Sequence, residues 1–268
     1  MSIIYKLKRK IKKRENPLYN FLYHILKKSI HISMPYNKKI HSFLYNEWCV
    51  RTTLWHNFWR IVYYEPMFKS QCTSVGRNLL MEYTGNGSAK IRGNLLLTIG
   101  NNVTIFDNTQ FVGLDVLKKP KLNIGDDTYI GPLVRFMVGS RIVVGNNCLI
   151  TSRIITDNPG HPIDDVVERM SSGGSSPSPD TICPITIGDF CFLPLDTVIY
   201  PGVSIGDGVV ARVGTHINKD VPPFCQIAGN PMCIIRKLSI PEELRKIVGE
   251  ERFNAYFKEH AALEIERC

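Results

Sequence analysis

One side chain whose type could do chemistry in this 268-residue chain is His161, held between Gly160 and Pro162 in the segment TDNPGHPIDDVVERMSSGGSSPSPDT. Imidazole, with an unperturbed pKa of about 6.5, is largely neutral near pH 7 and can accept a proton from an attacking hydroxyl. Asp157 and Asp164 flank it in the chain. A carboxylate on the second ring nitrogen would fix the tautomer and stabilise the imidazolium, but either aspartate can equally cap a turn. By residue type alone, a histidine in a polar Gly/Pro loop is a solvated surface group. What surrounds the loop therefore decides whether His161 does anything.

Other reactive groups are sparse. His216 is the only further histidine between residues 95 and 237, too few for a zinc site built from several imidazoles. The eight cysteines show no C-x-x-C spacing and read as free thiols.

The elements that must carry the loop follow from a period of six. Ile187, Leu193, Ile199, Ile205, Ala211 and Ile217 recur without a slip, and a small or β-branched residue follows four places later at Cys191, Thr197, Val203, Val209 and Thr215. Neither a helix nor a two-residue strand alternation gives that recurrence. Short strands joined by tight turns into a prism do, with the aliphatic residue inward and each coil stacked on the last. Shorter stretches of the pattern appear at Ile99-Gly100, Ile124-Gly125 and Val144-Gly145, in shifted frames. Cys148 and Cys191 fall in the small-residue slot, as apolar filler. The frame breaks between Ile155 and Cys183, where the histidine loop replaces it; a loop of that length in a compact domain is usually functional or disordered.

Charge divides the chain. Residues 1–70 carry 14 Lys+Arg against Glu15, Glu47 and Glu65, and the remaining 198 residues carry 19 against 21. Ile3 to Arg14 reads as a basic amphipathic helix, and Pro17 to Ile30 as a helix with Leu18, Phe21, Leu22, Ile25 and Leu26 on one stripe. Such helices suit an anionic lipid interface, or packing on the main domain or a sister subunit. No nucleic-acid module is recognisable. No run approaches the roughly 20 apolar residues of a membrane span, and no secretory signal is evident, so a cytoplasmic chain is expected, and the lipid-interface reading of its basic helices would make it peripheral on the inner face of the membrane.

The motif series over roughly residues 95–237 comprises His161-Pro162-Ile163-Asp164 with Arg169 and Ser171, Pro184 to Asp189, Pro201 to Gly206, Lys219 to Pro223, and Ala228-Gly229-Asn230-Pro231 up to Arg236. In that order it resembles the hexapeptide-repeat acyltransferases, particularly the maltose, galactoside and nodulation-factor acetyltransferases and the capsule or O-antigen O-acetyltransferases. The resemblance implies a mainly β fold, a left-handed parallel β-helix, with a helical N-terminal extension and a C-terminal helix. The expected organisation is an extension over 1–70, the β-helix over 71–238 with its loop at 156–183, and a helix within 239–268.

It also implies acetyl-CoA as co-substrate with no metal, a sugar or polysaccharide acceptor, and a homotrimer with sites shared between neighbours. His161 would be the general base for O-acetyl transfer, with Asp164 or Asp157 as its orienting partner. Leu195, Val213 and Asn218 would line the pantetheine groove, while Lys219 and Arg236 would face phosphate. An N-acyltransferase acting on an amino sugar, and a β-helix without acyltransferase activity (metalloenzyme or structural), are the alternatives.

The chain departs from the family pattern in several places. Phe192-Leu193-Pro194 stands for the usual Trp-Ile-Gly, Ala211-Arg212 for the next Ile-Gly, and Leu133 for an asparagine one coil before the histidine. The aromatic stretch 55–68 is read mainly as packing, with a glycan clasp as the alternative. At the other end, a helix capped by Ser239 is expected to close the column with Leu244, Ile247, Val248, Phe253 and Phe257.

Overall fold

The computed structural model describes residues 3–85, 87–114, 119–158, 165–171, 182–262 and 265. It falls into two compact units, Met1–Thr52 and Thr53–Cys268, a division that precedes the one at residue 70 expected from charge.

The first unit is helical. Helix Ile3–Lys13 is followed by Pro17–Ile30, where the Asn16 side chain accepts from the Tyr19 N–H at 2.8 Å and Pro17 opens the first turn. A third helix, Lys38–Trp59, runs across the division between the units. Neither of these last two helices has a buried residue.

In the second unit, a π-helical turn Arg60–Tyr64 leads into helix Glu65–Gln71, and the chain then winds into a prism of three parallel sheets. Face one stacks Ser74–Val75, Leu96–Ile99, Lys121–Ile124, Arg141–Val144, Ile185–Ile187 and Ser204–Ile205. Face two stacks Leu80–Met81, Thr104–Ile105, Tyr129–Ile130, Leu149–Ile150, Phe192–Leu193, Val210–Ala211 and Cys225–Ala228, with Cys233–Lys237 added antiparallel at the end. Face three stacks Lys90–Arg92, Gln110–Gly113, Arg135–Val138, Ile154–Thr156, Val198–Ile199 and His216–Ile217. The period of six is thus realised as a three-sided coil, the left-handed parallel β-helix that the family resemblance implies.

The six-step series visits the faces in rotation. Ile187 and Ile205 belong to face one, Leu193 and Ala211 to face two, and Ile199 and Ile217 to face three; all six are buried. Coiling already starts at Val75, some twenty residues before the legible repeat, because the early corners are irregular: Met81, Ile91 and Ile99 are unevenly spaced. At the N-terminal end, Phe68 is buried with its ring 5.8 Å from Phe111, which in turn stacks on Phe136 at 5.5 Å. Phe68 is thus packing, whereas Trp55, Phe58 and Tyr63 remain exposed.

The recurring Ile-Gly-Asx motif has a physical cause at the edge between faces one and two. The side-chain oxygen of each Asx accepts from the Asx backbone N–H one coil earlier: Asp126 from Asn101 (2.6 Å), Asn146 from Asp126 (2.8 Å), Asp189 from Asn146 (2.6 Å) and Asp207 from Asp189 (2.7 Å). The preceding residue must be glycine because a Cβ on Gly188 would collide with the Asp207 carboxylate.

The cysteines are corrected in one respect. Cys49, Cys72, Cys148, Cys183, Cys191 and Cys225 are free thiols, but Cys233 is disulfide-bonded, a pairing that sequence spacing cannot reveal. Cys148 and Cys191 fill the small-residue slot, their sulfurs donating to the Gly188 and Gly206 carbonyls at 3.1 and 3.2 Å. Its contact with Cys148, together with burial, holds the Cys191 thiol well above the ordinary range, as befits an inert filler.

Candidate active site

The prism is interrupted where the chain leaves face three after Thr156 and re-enters face one at Ile185. Asp157 anchors this exit. Fully buried, its carboxylate accepts from the Gly139 N–H (2.6 Å), the Ser140 N–H (2.7 Å) and hydroxyl (3.0 Å), and the Arg141 N–H (2.8 Å). Its carbonyl accepts from the Cys183 N–H at 3.0 Å, so one residue ties together the two ends of the excursion. Both carboxylate oxygens are thus held by the turn of the preceding coil, and of the two functions open to Asp157, the structure displays the turn cap. His161 and Asp164 lie outside the described residues. Within the excursion, Val166–Ser171 is a short helix, with the Asp165 carboxylate accepting from the Val167 N–H at 2.8 Å.

The expected donor-site residues divide between edges. Leu195 and Val213 stack on successive coils at the edge between faces two and three, both exposed, with the Gly214 N–H donating to the Leu195 carbonyl at 3.1 Å. Leu195 also borders a groove of about 420 Å³ shared with Asn108, Gln110, Leu133, Arg135 and Arg153. Leu133 is 70% exposed at φ +63°, a left-handed conformation that asparagine adopts far more readily than leucine.

Asn218 and Lys219 belong to the other edge of face three, where the chain turns towards face one, the same edge from which the histidine loop departs. Arg236 is exposed on the terminal antiparallel strand of face two, paired with Gln226. One copy of the chain therefore brings Leu195 to Val213, and Asn218 to Lys219, but the two pairs occupy different edges of face three.

His216 points outward, as its frame implies, and is half-buried. Its Nδ1 lies 3.0 Å from the Tyr200 hydroxyl, and the two rings are 5.9 Å apart. Tyr200, which turns the same edge one coil earlier, was missed in the sequence because nothing in a tyrosine between an inward isoleucine and a proline signals a histidine partner. No cluster of metal-ligating side chains occurs among the described residues.

No family model matches the chain. The galactoside O-acetyltransferase of Escherichia coli is 28% identical over 144 residues, covering 46% of this chain and 68% of that protein. A second Escherichia coli protein, named for colanic acid biosynthesis as the acetyltransferase WcaF, is 27% identical over 139 residues, 52% of this chain and 68% of its own. A Saccharomyces cerevisiae protein named as an acetyltransferase is 34% identical over 116 residues, covering 43% of this chain and 56% of that protein. The chain thus spans about half to two thirds of these curated relatives. Among solved structures, AntD, an N-acyltransferase from Bacillus cereus in complex with dTDP and 3-hydroxybutyryl-CoA, aligns with a TM-score of 0.50 at 22% identity, over 72% of this chain and 94% of that one. That likeness is one of fold.

Proposed function

We propose that this chain, a β-helix of the hexapeptide-repeat acyltransferase kind, transfers an acetyl group from acetyl-CoA to a hydroxyl of a bacterial surface polysaccharide or its precursor. The observation that carries this reading is the long excursion out of the coil between Thr156 and Ile185: its ends are tied by Asp157, and it carries His161 in the family's His-Pro motif. The names of the galactoside and colanic acid relatives support a sugar acceptor.

In the proposed reaction His161 takes the proton of the acceptor hydroxyl as its oxygen attacks the thioester carbonyl carbon. A backbone N–H of a coil donates to the oxyanion. Collapse of the tetrahedral intermediate breaks the C–S bond, and the imidazolium returns the proton to the departing sulfur, leaving an acetyl ester and free CoA. No acyl-enzyme is needed. Asp164 remains the candidate for orienting the imidazole, since Asp157 is already engaged by the neighbouring turn. Leu195, Val213 and Asn218 would line the pantetheine path, with Lys219 and Arg236 towards the phosphates.

The separation of these residues between two edges supports a homotrimer in which one groove takes Leu195 and Val213 from one copy and the histidine loop, with Asn218 and Lys219, from the next. The basic helices of residues 1–30 would bring the enzyme to an anionic membrane surface.

His161→Ala should lower turnover by two or more orders of magnitude with an unchanged melting temperature. Co-expressing His161→Ala with Leu195→Glu should restore activity in mixed trimers, where one groove combines an intact histidine with an intact wall. Wild-type turnover in His161→Ala removes the base, and absence of complementation removes the shared groove. Alkali-labile product identifies an ester and alkali-stable product an amide, which separates O- from N-acetylation.

A further inference from the structure

Two cavities of the second unit lie along one outer face of the coil. The larger, about 720 Å³, opens at the N-terminal end of the prism between helix Glu65–Gln71 and the first strand of face three, and is lined by Tyr64, Met67, Tyr83, Lys90 and Arg92 among others. The smaller is the groove beside Leu195 and Leu133. Strand register connects them: Lys90 pairs with Gln110, and Gln110 pairs with Arg135, so these three stand in one row across adjacent strands of face three. Lys90 and Arg92 border the terminal cavity, while Gln110 and Arg135 border the groove. At about 4.8 Å between strands, Lys90 and Arg135 are roughly 10 Å apart along the coil axis.

The row is cationic at both ends with the neutral Gln110 between them, and Arg92 stands two residues from Lys90 on the same strand. Lys90, Arg92 and Arg135 are exposed and make no ion pair among the described residues. Among the described residues no carboxylate lines the terminal cavity, and the one in the groove, Asp196, is paired with Arg153 at 3.3 Å. The terminal cavity also presents two tyrosines, Tyr64 and Tyr83, with rings 4.3 Å apart and hydroxyls 3.3 Å apart. Rings with a polar tip suit a ligand with both apolar C–H faces and hydroxyls. Cations spaced along a line suit one carrying repeated negative charges.

We propose that this row binds an extended acidic glycan, its remote sugars seated on Tyr64 and Tyr83 in the terminal cavity and its chain passing Lys90 and Arg135 to the groove. The inference rests on the acyltransferase reading for why a glycan should come here, and it deepens that reading by naming an anionic polymer as acceptor.

The test is binding, independent of turnover. The full chain is titrated calorimetrically with oligogalacturonates from dimer to octamer, with malto-oligosaccharides of equal length as neutral controls. Affinity for the acidic series should rise at least tenfold from dimer to octamer and fall as salt is raised. The double variant Lys90→Gln/Arg135→Gln should melt as the wild type does and lose at least tenfold in affinity for the octamer. Equal affinity for neutral oligomers, no binding, an unaffected double variant, or one-for-one displacement of the octamer by CoA each overturns the proposal, the last by assigning the cations to the donor's phosphates. Octamer binding in a chain that transfers no acetyl group would leave the glycan track standing and remove the enzymatic reading; transfer without octamer binding would do the reverse.

Discussion

Asp157 shows how a residue beside a catalytic candidate in sequence can face elsewhere in space. Its partners, Gly139 to Arg141, belong to the preceding coil, and no spacing rule links them to it. Replacing it with alanine leaves the buried Gly139 N–H and the part-buried Ser140 and Arg141 N–H groups without an acceptor, at a cost of about 1–3 kcal/mol for the buried group and less for the others. Asp157→Ala should therefore lower stability by about 3 kcal/mol in urea denaturation, with Asp157→Asn intermediate because one acceptor oxygen survives. An unshifted midpoint for the alanine variant would mean that the turn finds other partners. The small-residue slots were legible for a different reason: Cys148, Thr197 and Val203 mark positions where only a compact side chain fits beside the inward aliphatic. Arg135 and Tyr200 carried no such mark, because outward positions of a coil accept almost any residue and gain meaning only through register.

The element that closes the coil combines apolar and polar contacts. The Asx edge ends at Asp207, whose Oδ1 accepts from the Asp189 N–H and whose Oδ2 takes its donors from the closing helix. Helix Glu250–Ala262 supplies Arg252, whose guanidinium donates to Asp207 Oδ2 from Nε (2.9 Å) and Nη2 (2.6 Å) and pairs with Asp189 at 2.8 Å, and Tyr256, whose hydroxyl donates to the same Asp207 oxygen. The sequence marked a closing helix but misjudged its face and its start. Phe253 is buried as expected, yet Tyr256 is its buried neighbour, while Ile247 and Phe257 are exposed. The helices begin at Leu244 and Glu250, without a Ser239 cap.

Burial, with Asp207 beside it, raises the Tyr256 phenol above its ordinary range. A raised folded-state pKa contributes stability that is complete below the unfolded value of about 10 and is lost as pH rises towards the folded value. Tyr256→Phe should lower stability at neutral pH by about 1.5–3 kcal/mol, from the lost hydrogen bond to a charged acceptor. It should also flatten the decline above pH about 10, as read by denaturation across an alkaline pH series. A variant as stable as wild type, with the alkaline decline intact, would show that the cap rests on Arg252 alone.

At the scale of the molecule, the coil was readable because one six-residue rule repeats, and its irregular beginning was not, because extra residues at the early corners shift the frame without disturbing the stack. The helical unit Met1–Thr52 has no six-residue rule; helical spacing marked its first two helices, Ile3–Lys13 and Pro17–Ile30, and charge and exposure say what they suit. It carries twelve Lys+Arg against Glu15 and Glu47, and its exposed residues include Phe21, Ile30, Ile32, Met34, Phe43 and Tyr45. Among the described residues no helix is long and apolar enough to cross a membrane. A surface this apolar and this basic matches a bilayer interface with anionic headgroups, where each basic residue contributes about 1 kcal/mol close to the surface. The full chain should therefore sediment with vesicles containing phosphatidylserine or phosphatidylglycerol but not with pure phosphatidylcholine vesicles. Replacing Lys8, Lys10, Lys12 and Lys13 by glutamine should weaken that binding at least tenfold, and raising ionic strength should weaken it in the wild type. Equal sedimentation with neutral vesicles would leave the apolar residues as the sole attachment and the lysines as a solvated face. No sedimentation with either would assign the exposed apolar surface to contacts between copies of the chain, which a concentration series in analytical ultracentrifugation would then register.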